Sequence, residues 1–120
     1  MKKRILVVDD QDELRKLVKL TLEMLGYQIE EAESGEACIN KLRVVKPNLV
    51  ILDAMMPGRY DGYQACEIIK HHNEDIKVIM LTARAQKSDK ELGKKVQCDE
   101  YITKPFSPIA LQEAVKRIIL

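Results

Sequence analysis

The stretch Ile5-Leu6-Val7-Val8-Asp9-Asp10 decides the fold. An uninterrupted run of branched aliphatic side chains is what a strand covered on both faces requires, because a half-exposed strand alternates apolar and polar residues. The same arrangement recurs as Leu49-Val50-Ile51-Leu52 before Asp53, and as Val78-Ile79-Met80-Leu81 before Thr82. Tyr27-Gln28-Ile29 and Tyr101-Ile102-Thr103 are half-polar versions that suit outer strands, and the last leads into Lys104.

Helical patterns fill the intervals. Leu14, Leu17, Val18, Leu22 and Leu25 share one helical face, and Gly26 stands where a C-terminal cap belongs. Ser34 can cap a helix carrying Ala37, Cys38, Ile39, Leu42 and Val45, which Pro47 ends. A third helix runs from about Tyr63 to His71, and a fourth covers Ser88 to Val96. The last follows Ser107-Pro108 and presents Leu111, Val115, Ile118 and Ile119. The fourth has only Leu92 and Val96 as large apolar residues and is interrupted by Gly93, so it is expected to be the least firmly packed. Five strands alternating with helices predict an α/β domain: a doubly wound five-stranded parallel sheet with helices on both faces, flavodoxin-like in topology.

Such sheets gather their functional groups beyond the carboxyl ends of the strands. Here those ends carry Asp9 and Asp10, Asp53, Thr82 and Lys104. Each residue has an ordinary role if taken alone: an aspartate forms turns or caps helices, a threonine caps, and a lysine before proline sits in a loop. Their conjunction favours a site. Three carboxylates on one edge repel unless a cation joins them, and an oxygen-only set suits Mg²⁺, which retains waters and accepts phosphate oxygens. Three aspartates balance one lysine and one divalent ion. Asp53 follows the run expected at the centre of the sheet and is the best-placed nucleophile, with Lys104 and Thr82 placed to meet phosphoryl oxygens.

With those residues in hand, the sequence resembles the response-regulator receiver domains of bacterial two-component signalling, the CheY-like family. The motifs that carry the likeness are Leu6-Val7-Val8-Asp9-Asp10, Leu52-Asp53-Ala54-Met55-Met56-Pro57, Leu81-Thr82-Ala83 and Thr103-Lys104-Pro105-Phe106. The likeness spans Lys3 to about Ile119, so residues 1–120 are read as one receiver domain. It implies that Asp53 accepts phosphate from a sensor histidine kinase or a phosphotransfer protein. It also implies that Asp10, Asp53 and the Met55 backbone carbonyl bind Mg²⁺ directly, while Asp9 helps through water. Lys104 would pair with the phosphoryl group across a cis bond to Pro105. Thr82 and Tyr101 would form the switch, reshaping the face made by the fourth helix, the last strand and the last helix, with homodimerisation on phosphorylation as a possible result. Tyr101 has an ordinary alternative as an edge residue with its hydroxyl in water.

Two departures from the family pattern stand out. Gly58, Arg59 and Tyr60 make the loop before Asp61-Gly62 one residue longer, and Gln97 stands where a glycine usually ends the fourth helix. The second predicts a looser corner or a different turn. Met55 and Arg84 would flank the phosphoryl group, and neither can orient a hydrolytic water, which predicts slow self-dephosphorylation.

Composition sets the outer limits. The 120 residues fit one domain, with 46% hydrophobic and 32% charged residues, so disorder is excluded. Twenty basic against nineteen acidic residues leave a net charge of +1, which gives no general grip on nucleic acid. Apolar runs are too short to cross a membrane, and the start is too short for a signal peptide. Cys38, Cys66 and Cys98 have neither disulfide nor zinc spacing and read as core residues in a cytoplasmic protein, while the adjacent His71 and His72 point about 100° apart on a helix and chelate nothing together. Competing functions are a small aspartate-nucleophile phosphatase using Asp10-Gln11-Asp12, a module that only binds partners, and a flavin carrier. The acidic Asp9 to Glu13 loop speaks against the last, since a phosphate cradle needs glycines and amides.

Overall fold

A computed structural model describes residues 2–83, 91 and 94–119. Its elements in chain order are β1 (Arg4–Val8), α1 (Asp12–Glu23), β2 (Gln28–Ala32), α2 (Gly35–Val45), β3 (Leu49–Asp53), α3 (Gly62–His72), β4 (Lys77–Thr82), β5 (Glu100–Thr103) and, as α4, the helix Pro108–Ile119. The strands form one sheet in the order β2-β1-β3-β4-β5, with every pair parallel. This is the expected doubly wound arrangement, and β3 lies at its centre.

The alternation of side chains across the sheet builds two cores. Leu6, Val8, Val50, Leu52, Val78 and Met80 point to one face, where Cys38 and Leu42 of α2 and Ala65, Cys66 and Ile69 of α3 cover them. Ile5, Val7, Leu49, Ile51, Ile79 and Leu81 point to the other, beneath Val18 and Leu22 of α1 and Leu111, Ala114 and Val115 of α4. Each fully buried aliphatic side chain contributes roughly 1.5 to 3 kcal/mol. The registers Val8↔Leu52 and Asp53↔Leu81 bring the carboxyl ends of β1, β3 and β4 to a common edge.

The edge strands depart from the expected bounds. β2 continues through Glu30 and Glu31 to Ala32, because an outer strand buries only one face and its polar residues resemble a loop in the sequence. Helix α3 starts at Gly62, one residue before the expected Tyr63, on an Asp61 cap. The Asp61 side chain accepts the Gln64 N–H at 2.8 Å, and the Gln64 side chain accepts the Asp61 N–H at 2.9 Å. Ser34 and Ser107 accept from Ala37 N and Ala110 N, as their positions before helices suggested. The Ser88 to Val96 helix and Arg84 fall largely or wholly outside the described residues.

The missing glycine predicted a looser corner or a different turn, and the corner at Gln97 is neither. Gln97 itself adopts the left-handed conformation, at φ 66°. The residues beyond it are fastened on both sides. Asp99 N–H donates to Val78 O at 2.9 Å, and Asp99 Oδ2 accepts from Val78 N at 2.8 Å and from Lys70 Nζ at 2.7 Å. Backbone and ion-pair bonds here offset the strain that a glycine would have avoided.

Candidate functional site

Asp9 leaves β1 with its polar atoms largely committed. Its N–H donates to Ala32 O at 3.2 Å, and its Oδ1 accepts the Gln11 N–H at 2.9 Å. Its Oδ2 is buried without a hydrogen bond and lies 3.7 Å from Lys104 Nζ. Asp53 is the last residue of β3, buried, with Oδ1 accepting the Met55 N–H at 3.3 Å and lying 3.3 Å from Lys104 Nζ. Asp10 is solvent-exposed on the same rim. Carboxylate oxygens of Asp9, Asp10 and Asp53 lie within 4.8 Å of one another, a group that could hold a metal ion. An orphaned buried oxygen beside two more carboxylates is what a hard divalent cation such as Mg²⁺ fits.

Thr82 closes β4, buried, and its carbonyl accepts the Lys104 N–H at 2.7 Å, so the backbone of the threonine carries the lysine. The Lys104–Pro105 bond is cis, as expected. Lys104 thus reaches back over the sheet edge and divides its charge between two aspartates. Tyr101 sits on β5 opposite Met80, half-buried against the core that holds Cys66 and Val96. The Met55 side chain is 63% exposed, directly after the buried Asp53–Ala54 pair, which leaves it on the surface beside the acidic group.

Burial dominates the electrostatics. Desolvation raises the Asp53 carboxyl above its ordinary value of 3.8, against the lowering pull of Lys104 and the Met55 N–H. Asp9 is raised as well, chiefly by burial and further by Asp53 and Asp10, with the Gln11 N–H and Lys104 opposing. One lysine therefore leaves the cluster short of positive charge. The cysteines take no part: burial pushes the thiols of Cys38 and Cys66 up to about 12 and that of Cys98 to about 11, so none is a thiolate at neutral pH.

Two features of the surroundings were read only in part from the sequence. Gly62 begins α3 directly on the end of β3: a Cβ there would lie 2.3 Å from the Asp53 carbonyl oxygen, so no other residue fits. The Asp61-Gly62 pair was the available signal, but sequence alone does not show which backbone the glycine approaches. In the longer loop, the Arg59 guanidinium stacks over the Tyr60 ring at 5.3 Å from its centroid, and Tyr60 packs against the core on the α2–α3 side.

Residues 5–116 match the family described as response regulator receiver domain. The chain is 39% identical over 119 residues to the alkaline phosphatase synthesis transcriptional regulatory protein PhoP of Bacillus subtilis, covering 99% of this chain and 49% of that protein. It is 40% identical over 121 residues to the phosphate regulon transcriptional regulatory protein PhoB of Escherichia coli, covering 99% and 52%. The chain thus spans about half the length of these relatives. Among solved structures, chemotaxis protein CheY4 of Vibrio cholerae superimposes with a TM-score of 0.93 at 27% identity, covering 98% of this chain and 99% of that one. The fold is therefore the flavodoxin-like one of CheY. With that sheet, these strand ends and these relatives, the chain belongs to the response-regulator receiver domains of two-component signalling.

Proposed function

We propose that residues 1–120 act as one phosphorylation-dependent switch in which a carboxylate oxygen of Asp53 attacks phosphorus and displaces the donor's leaving group. The observation that carries this reading is the sharing of Lys104 between Asp53 and Asp9, with Asp9 Oδ2 left unbonded in a buried, acidic rim. Asp9, Asp10, Asp53 and the Met55 carbonyl are the groups assigned to Mg²⁺. When bound, Mg²⁺ supplies charge neutralisation for phosphoryl oxygens. The chain's own part is positional. Asp53 is held by the Met55 N–H, and Lys104 opposes the desolvation that favours its neutral form. Lys104 stands where it can pass from carboxylates to a phosphoryl oxygen, and the Thr82 hydroxyl is assigned another.

The donor is assigned as a sensor histidine kinase or phosphotransfer protein, and the recipient as an output domain or downstream protein. The output is assigned to the face built from residues 88–96, β5 and α4, where Tyr101 moves with Thr82, and the same face would serve a homodimer. Membership of the family makes this a signalling protein rather than a classical enzyme. No helix among the described residues is long and apolar enough to cross a membrane, and the site of action proposed is the cytoplasm. A net charge of +1 supports an output read by protein contact, with no nucleic acid bound by this domain itself. A small phosphatase would need Asp12 beside Asp10 at the rim. Asp12 instead lies on α1, exposed, with Oδ1 2.6 Å from Arg15 Nη2.

Treatment with acetyl phosphate and Mg²⁺, followed by intact-mass measurement, tests the reading. The wild type should gain about 80 Da, one phosphoryl group, and Asp53→Ala should gain nothing. A gain that survives Asp53→Ala overturns it. With an exposed thioether at Met55 in place of a carboxylate or amide, the adduct should outlast seconds, and Met55→Glu should hasten its loss. Half-loss of the wild-type adduct within seconds contradicts this part.

A further inference from the structure

We propose that Arg15 is a positioning residue for the cation-binding edge, acting through the backbone of Asp9 rather than through its carboxylate. The proposal rests on the Mg²⁺ assignment above. Arg15 Nη1 donates to the Asp9 carbonyl at 2.8 Å. With the Asp9 N–H on Ala32 and Oδ1 on Gln11, every polar atom of Asp9 except Oδ2 is then tied to β2, α1 or the intervening loop. Oδ2 alone faces Lys104 and the rim.

The guanidinium is itself oriented. Its Nε donates to Glu31 Oε1 on β2 at 3.0 Å, and its Nη2 to Asp12 Oδ1 at 2.6 Å, with the side chain only 11% exposed. Glu31 is in turn engaged by Lys19 at 3.4 Å. A planar fork can satisfy three acceptors in three directions at once, which an ammonium on a flexible stem does less well. The chain Glu31–Arg15–Asp9 thereby fixes the loop after β1 to the sheet, and the orientation of a metal-holding carboxylate follows in part from contacts made by its backbone.

The sign of the effect separates this role from a purely electrostatic one. Arg15 is a cation near an acidic rim, so by charge alone its removal would tighten Mg²⁺ binding. Positioning predicts the reverse. Calorimetric Mg²⁺ titration of the intact chain should show binding weakened about ten-fold in Arg15→Met, a loss typical of outer partners of metal ligands. Phosphorylation by acetyl phosphate in Arg15→Met should approach the wild-type rate once Mg²⁺ is saturating. Arg15→Lys and Glu31→Ala each keep part of the arrangement and should show a smaller but measurable weakening. They carry the test if Arg15→Met does not fold. A folded Arg15→Met with unchanged or tighter Mg²⁺ binding, or unchanged binding in the two milder variants, overturns the proposal. Wild-type protein that binds no Mg²⁺ would remove the site assignment and this role together, whereas wild-type binding retained in the variants removes this role alone.

Discussion

Two lysines, Lys70 and Lys104, meet carboxylates at opposite ends of the same sheet, and they are treated differently. Lys70, at the end of α3, is 8% exposed and lies 2.7 Å from Asp99 Oδ2 and 2.7 Å from the Ile76 carbonyl. Its partner Asp99 also takes the Val78 N–H, so that end is closed. Lys104 has two carboxylates at 3.3 and 3.7 Å, one of them with an oxygen left unbonded. The first arrangement satisfies its charges, and the second leaves them under-compensated. That deficit separates a corner that holds the fold from an edge whose carboxylates could hold a metal ion.

The largest effect should come from removing the closed partner. Lys70→Ala strands a carboxylate and a carbonyl and should lower the unfolding free energy by about 2 to 3 kcal/mol, discounted from a fully buried pair because Asp99 is partly exposed. Lys104→Ala, compared by the same denaturant unfolding without Mg²⁺, should cost less, about 1 kcal/mol, because its ion pairs are longer and its ammonium more exposed. Equal losses would break the comparison.

Next in size is a gain. Burial raises the Asp53 carboxyl above 3.8, so the favourable protonated form is complete below that pH and is lost as pH rises through the higher folded-state value. Metal-free Asp53→Asn should therefore be more stable than wild type at pH 7, by about 1 kcal/mol, with the advantage gone below about pH 4. Millimolar Mg²⁺ should reverse the order by stabilising only the wild type. Thermal melts across pH, with and without Mg²⁺, provide the check; an advantage that grows on acidification would be the wrong sign. Smallest is Gln97→Gly at the closed corner. Relief of the left-handed backbone, less the entropy glycine adds to the unfolded chain, should leave a gain of a few tenths of a kcal/mol in the same melts.

The legibility of the sequence follows the same division. β1, β3 and β4 were readable because strands buried on both faces leave no polar interruption. Strand ends in a parallel sheet share one edge, so Asp9, Asp53, Thr82 and Lys104 could be gathered from the sequence as candidates. β2 was cut short because Glu30 and Glu31 belong to a half-solvated strand. Arg15 was invisible as a site residue since its acceptor is a main-chain carbonyl, which carries no residue identity. Nothing local in the sequence marks Lys70, since only the fold brings Asp99 to it across twenty-nine positions.

Gly62 carries a mechanical consequence. With only hydrogen where a methyl would strike the Asp53 carbonyl, and with its N–H donating to Ala54 O at 3.0 Å, α3 rests on the end of β3 without any compliant side chain between. A cushioned joint would absorb a small shift of the Asp53 backbone. Without that cushion, main-chain atoms alone set the spacing between the start of α3 and the β3 backbone.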